Sequence, residues 1–449
     1  MIDGTAGGEA GRPPISAHLQ RNIPVLMGGL LLWTAGHFGV LAVLPLFLHD
    51  QGYDARSIGF TLGATGVAQL CVRPFAGWIV DAFGRRLPLV LALVLLSAAA
   101  ALLLVPAGWV VVANRVLTGV AFSLGTTAFY TLVVEVAPAG RRSEVQGYVA
   151  LGLTLGIGIG PPIAVGLYQS LLPEGSHPYE RLAAIALGAI AVALLSGACF
   201  CATVSAFRPL GRAHPYSLRT NFRREGLMPA FLNFCAQVPY TGFSAFLPLW
   251  AIGRGVGNPG VLFVGSEVGA VASRLFAGRL ADRYGRRTVL MPTMVGVAAT
   301  LMGMSIAVGV PAFFVLAMGY GALYGVAFVV LPGLAGEAAP PAGRGAAINT
   351  FGLGSDVAQL LGPWGLGLAG GTWGLGGALV VAGAVALLGA AGGAGGATRH
   401  RDGPHRGGSD CHLEIPRGLP LHFAQLPDAR AGATSSLQPG TGTGETRRT

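Results

Sequence analysis

The most regular feature of this sequence is a series of apolar stretches, each about 20 residues long, that recur along most of the chain. A helix of about 20 residues, rising 1.5 Å per residue, crosses the roughly 30 Å hydrocarbon core of a bilayer. We therefore predict an all-α membrane protein with twelve transmembrane helices. The predicted spans are 24–48, 58–80, 87–106, 109–136, 147–170, 182–207, 228–252, 260–281, 288–309, 312–336, 346–369 and 374–396.

The polar segments between these spans show which side of the membrane each faces. With both termini on one side, that side holds fifteen arginines before the tail, and the other side holds only Arg56, Arg181 and Arg254. The positive-inside rule places the arginine-rich side in the cytoplasm. We expect a multi-pass protein of the cell inner membrane with both termini cytoplasmic. The fifteen are Arg12, Arg21, Arg85, Arg86, Arg141, Arg142, Arg208, Arg212, Arg219, Arg223, Arg224, Arg283, Arg286, Arg287 and Arg344.

Composition agrees with a membrane solvent. Hydrophobic residues make up 52% of the chain and charged residues 11%, against about 25% charged residues in soluble domains. The net charge of +10 comes from Arg alone, because the sequence contains no Lys. Its placement in short loops predicts contact with the bilayer and no nucleic-acid partner. The five cysteines lack zinc-ligand and disulfide spacing, so we expect neither a metal nor a cofactor.

An internal repeat divides the chain into two halves. The segment RPFAGWIVDAFGRR at 73–86 returns as RLFAGRLADRYGRR at 274–287, with eight of fourteen positions identical. At an offset of 202, Glu135 returns as Glu337, and the pair at 160–161 returns at 362–363. We predict a cytoplasmic segment 1–22, a six-helix half 23–207, a cytoplasmic linker 208–227, a second half 228–397 and a disordered cytoplasmic tail 398–449. Such parallel repeats place a substrate cavity between the halves, near the bilayer midplane.

The repeated segment has a recognisable pattern of small and charged residues. The positions are Gly77, Asp81, Gly84, Arg85 and Arg86, repeated as Gly278, Asp282, Gly285, Arg286 and Arg287. They resemble motif A of the major facilitator superfamily, and the resemblance covers roughly residues 22–397. Glycine permits tight turns, and the carboxylate can bond to helix amides or to arginine. The resemblance implies a cytoplasmic latch that holds the outward-facing state. The alternative is a charge cluster that only sets topology.

Two further patterns lie within the first half. Arg115 and Gly119 have the spacing of motif B, whose arginine is implicated in proton transfer in this superfamily; a structural arginine is the alternative reading. Gly147, Gly156, Gly160 and Pro161 match part of motif C, which is associated with antiporters. Ala164 and Val165 replace the two glycines that end the family pattern. The fifth helix could therefore form a pliable seam, or could serve ordinary close packing.

Ionisable groups inside the spans are candidates for proton coupling, because such groups are costly in a membrane. They are Glu267, Asp356, Arg115 and His37. The repeat counterparts of Glu267 and Asp356 are Gly66 and Thr154, so neither acid belongs to the shared scaffold. We predict Arg115 and Glu267 as the coupling pair, with Asp356 as a substitute acid. A structural contact between Glu267 and Arg274, seven residues apart, is the rival account.

The seventh helix supplies a polar and aromatic set near helical spacing. Asn233, Gln237, Tyr240 and Phe243 could line a substrate cavity, or could bond neighbouring helices. We find no catalytic arrangement or phosphate loop, which argues against an enzyme. The leading hypothesis is a monomeric, proton-coupled exporter of a small molecule that works by alternating access. The alternative is a proton- or ion-coupled uptake symporter for a sugar, organic acid or similar nutrient.

Overall fold

The structure is a computed structural model that describes residues 17–136, 142–170, 177–204, 222–338 and 344–401. Side chains are described in these ranges except at 17–22, 81, 133–136, 142–150, 202–204, 344–346 and 395–401. The predicted tail beyond residue 401, the predicted linker up to residue 221 and residues 1–16 lie outside the described residues. The predictions for Asp81 and Gly147 concern positions whose surroundings are likewise not described.

The first half consists of six helices joined by short loops. They are α1 Ala17–Asp50, α2 Ala55–Phe83, α3 Arg86–Leu102, α4 Gly108–Val136, α5 Arg142–Ser170 and α6 Pro178–Val204. The carboxylate of Asp54 caps α2 by accepting a hydrogen bond from the Ser57 amide at 3.0 Å. Gly84 ends α2 with a φ of +77°, a conformation that glycine adopts without strain.

The second half repeats this plan after a 3-10 turn at Arg224–Gly226. Helix α7 has two segments, Leu227–Ala245 and Leu247–Ile252, and is followed by α8 Val261–Tyr284, α9 Arg286–Ile306 and α10 Val310–Glu337. Residues 344–401 hold α11 (344–373) and α12 (375–401), which meet at Gly374 with a φ of +77°. Pro248 lacks the amide hydrogen that a continuous helix needs, which accounts for the break in α7 at Phe246.

The predicted all-α fold with twelve helices is confirmed across the described residues. Eight helical segments in that part of the chain are long and apolar enough to span a membrane, and the last, Ala347–Ala394, contains both α11 and α12. Helices α2, α3 and α7 are not among these segments. Helix α3 has only 17 residues, α2 carries polar residues such as Gln69 and Arg73, and α7 is interrupted. The chain is a multi-pass membrane protein.

Helix packing follows the same pattern in both halves. In the first half, α1 packs on α5 and α6, α2 packs on α4, and α3 packs on α4 and α6. In the second half, α7 packs on α11 and α12, α8 packs on α10, and α9 packs on α10 and α12. The sequence repeat is therefore a repeat of tertiary structure.

Two seams join the halves, one between α2 and α11 and one between α5 and α8. In the first seam, Gly59, Gly63 and Gly66 face α11 so closely that a methyl group at Gly63 would lie 2.9 Å from the Leu360 carbonyl oxygen. In the second seam, Asn258 Nδ2 donates to the Pro162 carbonyl at 3.1 Å. We call the end of the bundle that carries Arg85, Arg86, Arg286 and Arg287 the arginine-rich end. The contacts above lie toward the opposite end.

Candidate functional site

An ion pair links the two halves near the middle of the bundle. Arg73 of α2 donates two hydrogen bonds to Asp356 of α11, from Nε to Oδ2 and from Nη2 to Oδ1, the second at 2.6 Å. The Asp356 side chain is 1% exposed and the Arg73 side chain 21%. Arg73 lies ten residues from the end of α2, about 15 Å along the helix. Such two-bond pairs fix orientation as well as charge.

The second seam holds the counterpart of this ion pair. Arg274 of α8 donates from Nη1 to the hydroxyl of Thr154 in α5, and its guanidinium lies 5.0 Å from the ring centre of Phe328. Arg274 corresponds to Arg73 in the repeat, and Thr154 corresponds to Asp356. The two seams therefore use equivalent positions with different chemistry. A charged acceptor holds the first arginine, and a neutral acceptor holds the second.

Glu267 lies in the same α8 seam, two turns from Arg274 toward the opposite end. Its Oε2 is buried and has no hydrogen-bond partner among the described residues. Its Cβ would lie 3.3 Å from a methyl group placed on Gly158 of α5, so the side chain stands at the boundary between the halves. Arg274 bonds to Thr154 and not to Glu267. The Glu267 to Arg274 contact, which was the rival to the predicted coupling pair, is thus not formed among the described residues.

A stack of aromatic rings lies next to Glu267, between α7 and α10. Tyr240 stacks on Tyr324 at 5.1 Å, and Phe243 stacks on Tyr320 at 4.7 Å, measured between ring centres. Tyr320 and Tyr324 are parallel within 8° at 5.9 Å. The edge of Phe263, one turn before Glu267, meets Phe243. The hydroxyls of Tyr240 and Tyr320 are buried and have no partner among the described residues.

The polar residues Asn233 and Gln237 of the predicted cavity bond to α11, and Gln237 also bonds to α10. Asn233 Nδ2 donates to Ser355 Oγ at 2.7 Å and to the Phe351 carbonyl at 3.1 Å. Tyr324 donates its hydroxyl to Gln237 Oε1, and Gln237 Nε2 donates to Ser355 Oγ at 3.3 Å. Asn233 therefore joins helices within the second half, and Gln237 connects that network to the aromatic stack.

Arg115 and His37 form a separate cluster inside the first half. Arg115 is 1% exposed and donates from Nε and Nη2 to Asn114 Oδ1 at 2.9 and 2.7 Å. His37 stacks on Phe122 at 5.0 Å, and its Nδ1 has no partner among the described residues. No hydrogen bond or ion pair joins Arg115 to Glu267 in that part of the chain. The structure does not bring the predicted coupling pair together.

The motif A residues lie at the arginine-rich end. Gly77 and Gly278 have open space, because a methyl group at either would meet no atom within 4 Å. Asp282 is exposed, and Gly285 turns with a φ of +85°. Arg85 is buried and donates from Nη1 to the Val80 carbonyl at 3.1 Å. Arg86 is exposed and Arg287 is half-buried.

The second copy of motif A also contains an ion pair. Arg286 Nε lies 3.1 Å from a carboxylate oxygen of Glu337, which links the start of α9 to the end of α10. Arg286 also passes over Gly333, one turn before Glu337. The first-half counterpart of Glu337 is Glu135, whose side chain is outside the described part of the chain.

The glycines of the motif C pattern face α1 in the same half. A methyl group at Gly160 would lie 2.7 Å from Ala35 Cα, and one at Gly156 would lie 2.5 Å from the Leu31 carbonyl oxygen. Pro161 is buried. The face of α5 that meets the other half carries Thr154, Gly158 and Pro162 instead. The motif C glycines therefore allow close packing within the first half.

Sequence reasoning missed several residues of this site. Arg73 was the first residue of the repeat, yet its role depends on α11, which is distant in sequence. Tyr320 and Tyr324 are four residues apart, a spacing that puts them on one face of α10. That spacing was a signal that could have placed them beside the predicted α7 set.

Comparison with known proteins identifies the family. A family model for the Major Facilitator Superfamily matches residues 26–266 and 229–410. The chain belongs to the major facilitator superfamily. The predicted resemblance to this superfamily is confirmed, and the protein is a transporter.

Curated relatives are similar over part of the chain. Quinolone resistance protein NorA of Staphylococcus aureus strain MRSA252 is 26% identical over 174 residues, which is 38% of this chain and 44% of NorA. Multidrug resistance protein 2 of Bacillus subtilis strain 168 is 27% identical over 140 residues, which is 30% of this chain and 34% of that protein. The matches thus span less than half the length of these relatives.

Solved structures with the same fold cover most of the chain. A POT family transporter in complex with a thioalcohol-conjugated peptide has a TM-score of 0.67 at 12% identity, covering 83% of this chain and 95% of that one. The human organic anion transporter MFSD10 (TETRAN) has a TM-score of 0.56 at 17% identity, covering 85% and 100%. At these identities the likeness concerns the fold alone.

Proposed function

We propose that this transporter exports a small aromatic molecule and is driven by protons returning to the cytoplasm. The observation that carries the proposal is Glu267, a carboxylate with an unpartnered buried oxygen at the seam between the halves. It lies beside the aromatic stack of Tyr240, Phe243, Tyr320 and Tyr324. Aromatic rings prefer stacked or edge-on partners, so a flat aromatic substrate would pack against the partly buried rings of Tyr240 and Tyr324. Phe243 and Tyr320 are each 1% exposed and stack with these rings.

Glu267 can couple proton movement to substrate movement because a proton and a cation compete for its one negative charge. An unpaired carboxylate charge is costly in a low-dielectric site, so the acid either carries a proton or faces a cation. Glu267 couples the pH gradient to transport when it binds a proton on one side of the membrane and releases it on the other. Each pH unit across the membrane supplies about 1.36 kcal/mol per proton, which drives roughly tenfold accumulation of an exchanged substrate.

The seams support transport by rocking of one half against the other. Close packing extends from Gly59 to Arg73 along α2, whereas Gly77, one turn further, meets no neighbour. The opposite end is therefore closed, and the arginine-rich end has room at its motif A glycines. With the arginine-rich end in the cytoplasm, this arrangement supports an inward-facing state. The proposed motif A latch forms when the halves rock the other way.

Two considerations favour export over uptake. The relatives that match part of this sequence are named as quinolone and multidrug resistance proteins. The stacked rings also offer the contacts that a flat aromatic compound prefers.

Transport in proteoliposomes tests the proposal. Purified protein is reconstituted in vesicles with an imposed pH gradient, and movement of a panel of aromatic cations, aromatic acids and sugars is followed. We expect aromatic compounds to move against their gradient in exchange for protons. Co-directional movement of a sugar or acid with protons would establish uptake instead. Absence of any gradient-driven movement across the panel would contradict proton coupling.

A further inference from the structure

A small internal cavity lies in the first half, apart from the seams. It has a volume of about 10 Å³, enough for one water-sized sphere. Its polar lining comes from His37, Asn114, Arg115 and Thr118, and the indole of Trp33 also borders it. Arg115, Thr118 and His37 are 1%, 1% and 8% exposed. These polar groups are buried within helices α1 and α4.

The charge of Arg115 has no acidic partner in the described part of the chain. A guanidinium has five N–H donors and no acceptor. Arg115 donates hydrogen bonds from Nε and Nη2, and both go to the neutral Asn114 oxygen. Asn114 is itself fixed, since its Nδ2 donates to the Ala99 carbonyl at 2.7 Å. A buried cation that lacks a counter-charge is strongly unfavourable in a membrane protein.

The unpartnered hydroxyl of Thr118 points to a ligand in the cavity. Thr126, Thr127 and Thr131 in the same helix donate their hydroxyls to carbonyl oxygens four residues earlier, at 2.6 to 2.8 Å. The buried Thr118 hydroxyl makes no such bond and has no partner among the described residues. Nδ1 of His37 is likewise unpartnered there. Arg115, Thr118 and the N–H of a neutral His37 imidazole thus offer donors around one small space.

We propose that this cavity is a binding site for one small anionic group. A cation would be repelled by Arg115, and a neutral water would leave the guanidinium charge uncompensated. A monatomic anion such as chloride is larger than a water molecule, so its binding would widen this water-sized cavity slightly. The same donors would instead donate to one oxygen of a carboxylate. The equivalent position in the second half is Ala317, which cannot supply this charge.

Quenching of Trp33 fluorescence by bromide tests the site. The intact protein in nanodiscs is titrated with bromide at constant ionic strength, and a Trp33→Phe variant, titrated in the same way, isolates the contribution of Trp33. We expect saturable quenching that disappears in Arg115→Gln and weakens at least tenfold in apparent affinity in Thr118→Val. Thr126→Val is the matched control, because its hydroxyl bonds to Phe122 and is absent from this cavity.

Competition then identifies the source of the anion. Displacement of bromide by chloride but not by acetate indicates a free halide, and displacement by acetate indicates a carboxylate of a substrate. Quenching that rises linearly without saturation, or saturable quenching unchanged in both Arg115→Gln and Thr118→Val, would overturn the proposal. Because the assay measures binding without transport, its failure would leave the proposed export function unaffected.

Discussion

Arg73 and Asp356 form the only ion pair between the two halves in the described part of the protein, although they are 283 residues apart in sequence. The equivalent positions in the other seam are Arg274 and Thr154, where a hydroxyl replaces the carboxylate. The pseudo-symmetric transporter therefore holds one seam by a charged contact and the other by a neutral one. We infer that the first seam contributes more to the stability of the closed opposite end.

Replacement of Asp356 should weaken that closure. Hydrogen bonds to charged groups contribute about 1.5–3 kcal/mol, so Asp356→Asn should lower the closed-to-open ratio about tenfold or more. Distances between spin labels at the outer ends of α2 and α11 measure this ratio. The neutral counterpart Thr154→Val should shift the ratio less. Equal shifts in the two variants would contradict the inferred difference between the seams.

Exchange of the two charges gives a second test of the pair. The double variant Arg73→Asp with Asp356→Arg restores opposite charges across the seam, so it should recover part of the closed population lost in either single variant. The same spin-label distances provide the readout. No recovery beyond the sum of the single effects would show that the two residues act independently.

Gly63 and Gly77 of α2 should respond differently to an added methyl group. Gly63→Ala places a methyl group against the indole of Trp364 and the Leu360 carbonyl, so it should force the opposite end apart. Gly77→Ala meets open space and should leave the closed end unchanged. Spin-label distances across each end compare the two variants. Similar opening of the opposite end by both would contradict the described packing.

The exposed ion pair of motif A should contribute little. Glu337 is 61% exposed and Arg286 is 29% exposed, and surface pairs typically contribute 0–1 kcal/mol. Glu337→Gln should therefore lower the free energy of unfolding by less than about 1 kcal/mol, and added salt should reduce the difference. Thermal unfolding at low and high salt measures both effects. A large, salt-independent loss would show a role beyond this contact.

The fold could be predicted from sequence because its determinants are local or repeated. The lengths of the apolar stretches predict the helices, and the repeat of segment 73–86 at 274–287 predicts the two halves. The sequence does not determine whether Arg115 and Glu267 meet, because that depends on which helix faces pack together. Arg115 faces the interior of its own half, whereas Glu267 faces α5 across the seam.

The sequence does not predict the partner of Asp356 for a related reason. The sequence shows Asp356 as an ionisable residue in a span and Arg73 as a member of the repeat, but nothing in either local sequence joins α2 to α11. Small residues at Gly59, Gly63 and Gly66 were the available signal, because they permit close helix approach. In a chain with 72 glycines, that signal does not stand out.

Substitutions in the aromatic stack should separate ring contacts from hydroxyl contacts. Tyr320 stacks on Phe243, and its hydroxyl is unpartnered among the described residues. Tyr320→Ala should weaken binding of an aromatic substrate by about 0.5–1.5 kcal/mol or more, whereas Tyr320→Phe keeps the ring and should bind with smaller loss. Equilibrium binding of a transported compound measures both. A greater loss in Tyr320→Phe would show that the hydroxyl contacts the substrate.

The most direct test of proton coupling is transport by Glu267→Gln in proteoliposomes. Glutamine keeps the shape of the side chain but cannot gain or lose a proton. We predict that transport driven by a pH gradient fails while downhill exchange of substrate continues. Asp356→Asn, which removes an acid already bound to Arg73, should retain gradient-driven transport at a reduced rate. Normal proton-driven accumulation by Glu267→Gln would contradict the account.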